Sequence, residues 1–163
     1  MCPQTDWQFR IGAFLVSVML CGCAVQRPSE LATVILVTDP AVQWRLRRGF
    51  HEIEDLRWRW SQRVFVVECP LPPTEKRSGA KLVLRFSVPG GLEPLELSES
   101  LNGTELRPEP YHQAGRQIYS RRIPPSLLAT GRAEVTFTLD HTFKPLTLDV
   151  RELGLMVESV GFE

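Results

Sequence analysis

Residues 81–106 decide how this chain folds: Lys81-Leu-Val-Leu-Arg-Phe-Ser-Val88, Pro89-Gly90-Gly91, then Leu95-Glu-Leu-Ser-Glu-Ser-Leu101-Asn102-Gly103-Thr104-Glu-Leu106. In both runs apolar and polar residues alternate with a period of two, the pattern of a strand that lays one face on a core. Proline and glycine stop the first run. Asn102-Gly103 folds the second back on itself, because a type I′ turn needs positive φ at both central positions.

The same grammar recurs along the chain. Thr33-Val-Ile-Leu-Val37 is β-branched and apolar and ends at Asp39-Pro40. Leu56-Arg-Trp-Arg-Trp60 alternates and runs on into Arg63–Cys69, which Pro70, Pro72 and Pro73 close. Gln117–Ile123 stops at Pro124-Pro125, Glu134-Val-Thr-Phe-Thr-Leu139 alternates cleanly, and Leu153–Phe162 supplies a last strand. Only Pro125–Ala129 suggests a helical turn. Roughly eight to ten short strands without βαβ spacing predict an all-β chain, an antiparallel β-sandwich or barrel.

Composition agrees with one globular domain. The chain has 163 residues, 43% of them hydrophobic, with nineteen basic residues against nineteen acidic ones. Such a balance offers no basic stripe for a nucleic-acid backbone. Ordinary apolar content also excludes an acidic disordered chain. The stretch 72–79 reads as a loop inside the domain.

The first thirty residues read as an address. Ile11–Gln26 carries no charge, and its apolar core is too short to span about 30 Å of hydrocarbon but long enough for a signal peptide. Leu20-Cys21-Gly22-Cys23 resembles the lipobox of bacterial lipoproteins. The resemblance implies a signal peptide over 1–22, lipid on Cys23, a short tether over 23–30 and a single β-sandwich over 31–163. A membrane held through that lipid is then a partner, and Ala24 after the modified cysteine favours the outer membrane over the inner. Of the four cysteines only Cys69 is left inside the domain, in a strand-like run where a buried thiol is the plain reading.

A second resemblance rests on Ser98–Leu106, the polar hairpin at Tyr111–Gly115, Ile123-Pro-Pro-Ser-Leu-Leu-Ala-Thr-Gly131 and the Glu134–Leu139 strand. Together these are similar to a galactose-binding-domain-like jelly roll. Gly49-Phe50 with Glu52, Arg59-Trp60 and Asp149-Val-Arg-Glu-Leu-Gly-Leu155 are similar to a small sandwich module of bacterial surface-glycan proteins, often beside glycosyltransferase or methyltransferase domains. The resemblance covers about residues 44–163 and implies a carbohydrate-binding or glycan-handling accessory module. The alternative is an assembly lipoprotein docked on an envelope protein.

Candidate chemistry gathers in the first third of the domain. Trp44, Trp58 and Trp60 stand near Phe50 and His51, with Glu52, Asp55, Arg57 and Arg59 between them. Aromatic faces that stack on sugar rings, beside groups that bond hydroxyls, are the physics of a carbohydrate site. The competing reading puts Trp58 and Trp60 in the core, with Arg57 and Arg59 pointing to solvent. Arg45, Arg47 and Arg48 read as a solvated loop or a patch for anionic lipid or acidic glycan. Asp149 and Arg151 read as a structural pair. Three scattered histidines predict neither a catalytic cysteine partner nor a zinc site, although a calcium site built from loop carbonyls leaves no such signal. No nucleophile elbow, phosphate loop or dinucleotide fingerprint is present, so neither an enzyme nor a cofactor is expected.

Overall fold

The strand that organises the molecule is β3 (Trp58–Glu68), eleven residues long, because its two halves pair with different neighbours. In a computed structural model describing residues 33–73, 78, 80–129, 131, 133–145 and 148–163, Arg59 and Trp60 pair with Val157 and Met156. Val64–Glu68 instead pair with Thr138–Glu134. The strand therefore bends at Gln62 and Arg63 and passes from one layer to the other, as corner strands do in sandwiches. The expected signal peptide, the lipobox-like stretch at 20–23, the expected tether over 23–30 and most of the 72–79 stretch lie outside the described residues.

Nine other strands are found among the described residues: β1 (Val34–Leu36), β2 (Leu46–Glu54), β4 (Lys81–Val88), β5 (Leu95–Leu101), β6 (Thr104–Glu105), β7 (Glu109–Tyr111), β8 (Gly115–Arg122), β9 (Glu134–Leu139) and β10 (Met156–Phe162). They form one curled sheet of order β6-β5-β9-β3-β10-β4-β8, with β1 on β10, β2 on β3 and β7 on β5. Every pairing is antiparallel. The expected all-β antiparallel sandwich is what the chain forms.

Aromatic rings pack within a layer, where Phe65 and Phe137 face each other on paired strands, and between the two layers. Phe65 stacks on Phe137 at 5.0 Å, Tyr119 of β8 meets Phe137 of β9 edge-on at 6.2 Å, and Phe86 of β4 meets Tyr111 of β7 at 5.1 Å. Burying each such phenylalanine contributes about 1.5–3 kcal/mol. Cys69 lies in this core, and burial pushes its thiol up to about 12.

Two local expectations hold in detail. Asn102 and Gly103 take φ values of 50° and 81°, and the Asn102 side chain bridges the turn to Leu127 O and Glu134 N. The helical hint becomes a 3-10 turn over Pro125–Leu128. The arginine string departs from its loop reading: Arg45 ends a 3-10 turn (Pro40–Arg45), and Arg47 and Arg48 belong to β2. Charge hid this strand because it slips register against β3 three times and buries little. Gly49 permits that irregularity. Its φ is +79°, and a Cβ there would strike Val64 O.

The β2–β3 connection carries the opposite situation. Asp55 and Leu56 take φ values of 50° and 54°, with Arg57 N donating to Glu54 O, so this is a type I′ turn built without glycine. A leucine in that conformation costs about 1–2 kcal/mol, and Leu56 is 88% exposed, so packing returns little. Leu56→Gly is expected to raise the thermal midpoint. Gly49→Ala is expected to lower stability by about 2 kcal/mol or more through the backbone collision. Thermal denaturation followed by circular dichroism checks both.

Candidate functional site

The outer face of the β1–β10–β4–β8 layer holds a concavity among the described residues, and register explains it. Leu36 pairs with Ser159, Ser159 with Arg85, and Arg85 with Ile118, so these four side chains form one row across four strands. The next row runs Val34, Gly161, Val83, Ser120. Serine and glycine lower the middle of the rows while Leu36 and Ile118 stand up at either side. A bulge between Val157 and Ser159 sits beside them at Glu158. The result is two adjoining hollows of about 310 and 380 Å³ that share Arg85, Arg116 and Glu158. Either volume falls in the range of small-ligand sites.

Arg57, Arg85 and Arg116 line these hollows together with one carboxylate, Glu158. Arg116 donates to Glu158 at 3.2–3.4 Å, and Arg85 donates to Glu163 at 2.6 Å. The Arg57 guanidinium lies 5.6 Å from the Trp58 ring centre and meets no carboxylate among the described residues. Trp58 itself is half-buried, and its Nε1 is shielded from solvent without a partner among the described residues. Exposed ion pairs of this kind contribute little stability, about 0–1 kcal/mol each. They leave cations available to a ligand.

The remaining residues singled out from sequence do not converge on this groove. Trp44 is 56% exposed on the 3-10 turn, with Arg45 stacked over it at 4.2 Å. His51 makes a hydrogen bond with Glu152 O through Nε2 at 2.8 Å, and Glu52 is exposed on β2. Arg59 is a correction. Expected at the surface, it is only 4% exposed and donates to Val37 O and His51 O. Trp58 and Trp60 correspondingly leave the core side: Trp60 Nε1 donates to Glu54, and its ring packs edge-on against Phe143. The inward parity of β3 is set by Phe65 and Val67, and counting back by twos reaches Ser61 and Arg59. Sequence reading had instead let the bulky indoles claim the core.

Around Trp60 the contacts tie loops together. Arg151 donates to Asp149 and to Glu54, and Asp149 is held down to about 2 by the hydrogen bonds from Arg151. Thr142 donates to Glu152. These pairs clamp the segment before β10 onto the β2–β3 hairpin, the structural role expected of Asp149 and Arg151. Among the described residues no group of three or more His, Cys, Asp or Glu is arranged to hold a metal ion.

One polar cluster was missed. Glu99 lies inside the sandwich, 3% exposed, accepting from Tyr119 OH at 2.6 Å and pairing with Arg121 at 2.6 Å. Its Oε2 is buried with no partner among the described residues. Burial raises its pKa, and this outweighs the lowering by the Tyr119 hydrogen bond and by Arg121. Tyr119 is also raised, first by burial and then by its bond to Glu99. The signal was in the sequence, since Leu95, Leu97 and Leu101 share the parity of Glu99. No known family model matches the chain, and no curated protein matches it.

A carboxyl whose folded-state pKa lies above its unfolded value contributes most stability below the unfolded pKa, and that contribution is lost as pH rises through the folded one. Melting temperature is therefore expected to fall across the window above the ordinary carboxylate range, and Glu99→Gln to flatten that fall. Tyr119→Phe is expected to cost about 1–3 kcal/mol by stripping a donor from a buried acceptor. Thermal melts from pH 4 to 8 (about the accessible range) check both.

Proposed function

We propose that this protein is a non-catalytic β-sandwich lipoprotein, tethered to the cell envelope through lipid on Cys23, that binds carbohydrate as an accessory module. The observation that carries the binding half is the groove on the outer face, where Arg57, Arg85, Arg116, Glu158 and Ser159 offer donors and acceptors between the apolar shoulders Leu36 and Ile118. Hydroxyl-rich ligands need such a mixture, because each sugar hydroxyl both donates and accepts while the ring's C–H faces want apolar contact. The galactose-binding-domain-like resemblance of residues 44–163 points to the same ligand class, and the lipobox at 20–23 supports the envelope address.

Protein docking is the second reading. It is favoured by Leu36 and Ile118, which are 59% and 56% exposed on one row of the sheet. Two measurements decide. Cys23→Ala is expected to move the protein from the membrane fraction to the soluble one. If it stays in the membrane fraction with its N-terminus uncleaved, the lipoprotein reading is wrong. Titration with a panel of envelope polysaccharide fragments is expected to shift tryptophan emission, since Arg57 over Trp58 couples the groove to an indole. Unchanged emission across the panel, with an envelope protein co-purifying, sinks the carbohydrate reading in favour of docking.

A further inference from the structure

We infer that the ligand of the outer-face groove is an acidic saccharide, a glycan whose units carry carboxylates, with Arg57 as its principal charge partner. The inference rests on the carbohydrate reading above and narrows it. Three arginines line the groove, Glu158 pairs with Arg116 and Glu163 with Arg85, so one positive charge, that of Arg57, is left in excess among the described residues although the whole chain is neutral. The local excess therefore has to be accounted for at this site.

The arginines are not equally committed. Arg85 and Arg116 already pair with Glu163 and Glu158, in exposed positions where solvent screens much of the attraction. Among the described residues the Arg57 guanidinium has only the Trp58 ring. Its position is set by the tight type I′ turn at Asp55-Leu56, which puts it at the start of β3 beside the groove. A planar guanidinium backed by an indole receives a carboxylate in a two-pronged bond, and this geometry separates an acid from a neutral hydroxyl better than a point charge would.

The floor specifies the rest of the ligand. Ser159 and Glu158 lie between the arginines, so an arriving anion also meets a hydroxyl and an acceptor. Glu158 repels a second negative charge placed directly on it but accepts hydrogen bonds from sugar hydroxyls. One carboxylate and several hydroxyls on the same unit satisfy all of these groups together. An anionic membrane surface suits them less well, because Glu158 and Glu163 stand among the arginines and repel lipid phosphates packed against them.

The test uses the purified full-length protein in detergent micelles. Three probes are titrated by calorimetry: oligogalacturonate, the neutral galactose oligomer of the same length, and phosphatidylcholine vesicles with and without phosphatidylglycerol. Oligogalacturonate is expected to bind, with affinity falling about tenfold or more as salt rises by a factor of about ten. Arg57→Gln is expected to weaken it about tenfold, while Arg122→Gln, an exposed arginine of β8 that does not line the groove, leaves it unchanged. Equal binding of the neutral oligomer, or no response to Arg57→Gln, overturns the acidic assignment and spares the carbohydrate reading. No binding of either oligomer overturns both. Binding to the anionic vesicles alone, lost in Arg57→Gln, assigns the groove to lipid and also overturns the inference.

Discussion

The rest of the structure depends on β3 belonging to both layers. Where it turns the corner, Ser61 is fully buried: its N–H donates to Leu155 O, its carbonyl accepts from Gly154 N, and its hydroxyl accepts from Leu155 N. A Cβ on Gly154 would come within 2.5 Å of Leu139 Cδ1 and 2.6 Å of Ser61 Oγ. The corner therefore packs a glycine of the segment leading into β10 closely against a small hydroxyl residue of β3.

The buried charged groups among the described residues satisfy one another or the backbone. Arg59 fills the space between β1, β2 and β3 with a guanidinium that satisfies two carbonyls, Val37 O and His51 O, which a tryptophan side chain would leave unbonded. Glu99, Tyr119 and Arg121 do the same between β5 and β8. Buried polar groups are tolerated when they are bonded and costly when they are not. Among the described residues Glu99 Oε2 has no partner, and burial raises the pKa of that carboxyl.

Much of the fold was legible in the sequence, and the groove was not. β4 and β9 have the limits that alternation gave, and the Asn102-Gly103 turn adopts the predicted conformation. β2 was invisible because an edge strand with bulges has no clean period and is rich in charge. Arg57 was singled out by its neighbours along the chain. Leu36, Arg85, Arg116, Ile118 and Glu158 come from four strands far apart in sequence, and no local pattern connects them. Only antiparallel register places them in adjoining positions.

The division has a physical basis. Local sequence determined what each segment is, because alternation, turn chemistry and proline placement act within a few residues through backbone sterics and one-sided burial. The proposed lipobox is likewise read as linear sequence. Tertiary structure decided which face of β3 turns inward, because parity along a strand is settled by the most buried members, Phe65 and Val67, and not by the bulkiest. It also decided where charge collects. Nineteen positive and nineteen negative residues cancel in the chain, but the fold brings Arg57, Arg85 and Arg116 together with Glu158 and Glu163, leaving Arg57 without a carboxylate among the described residues.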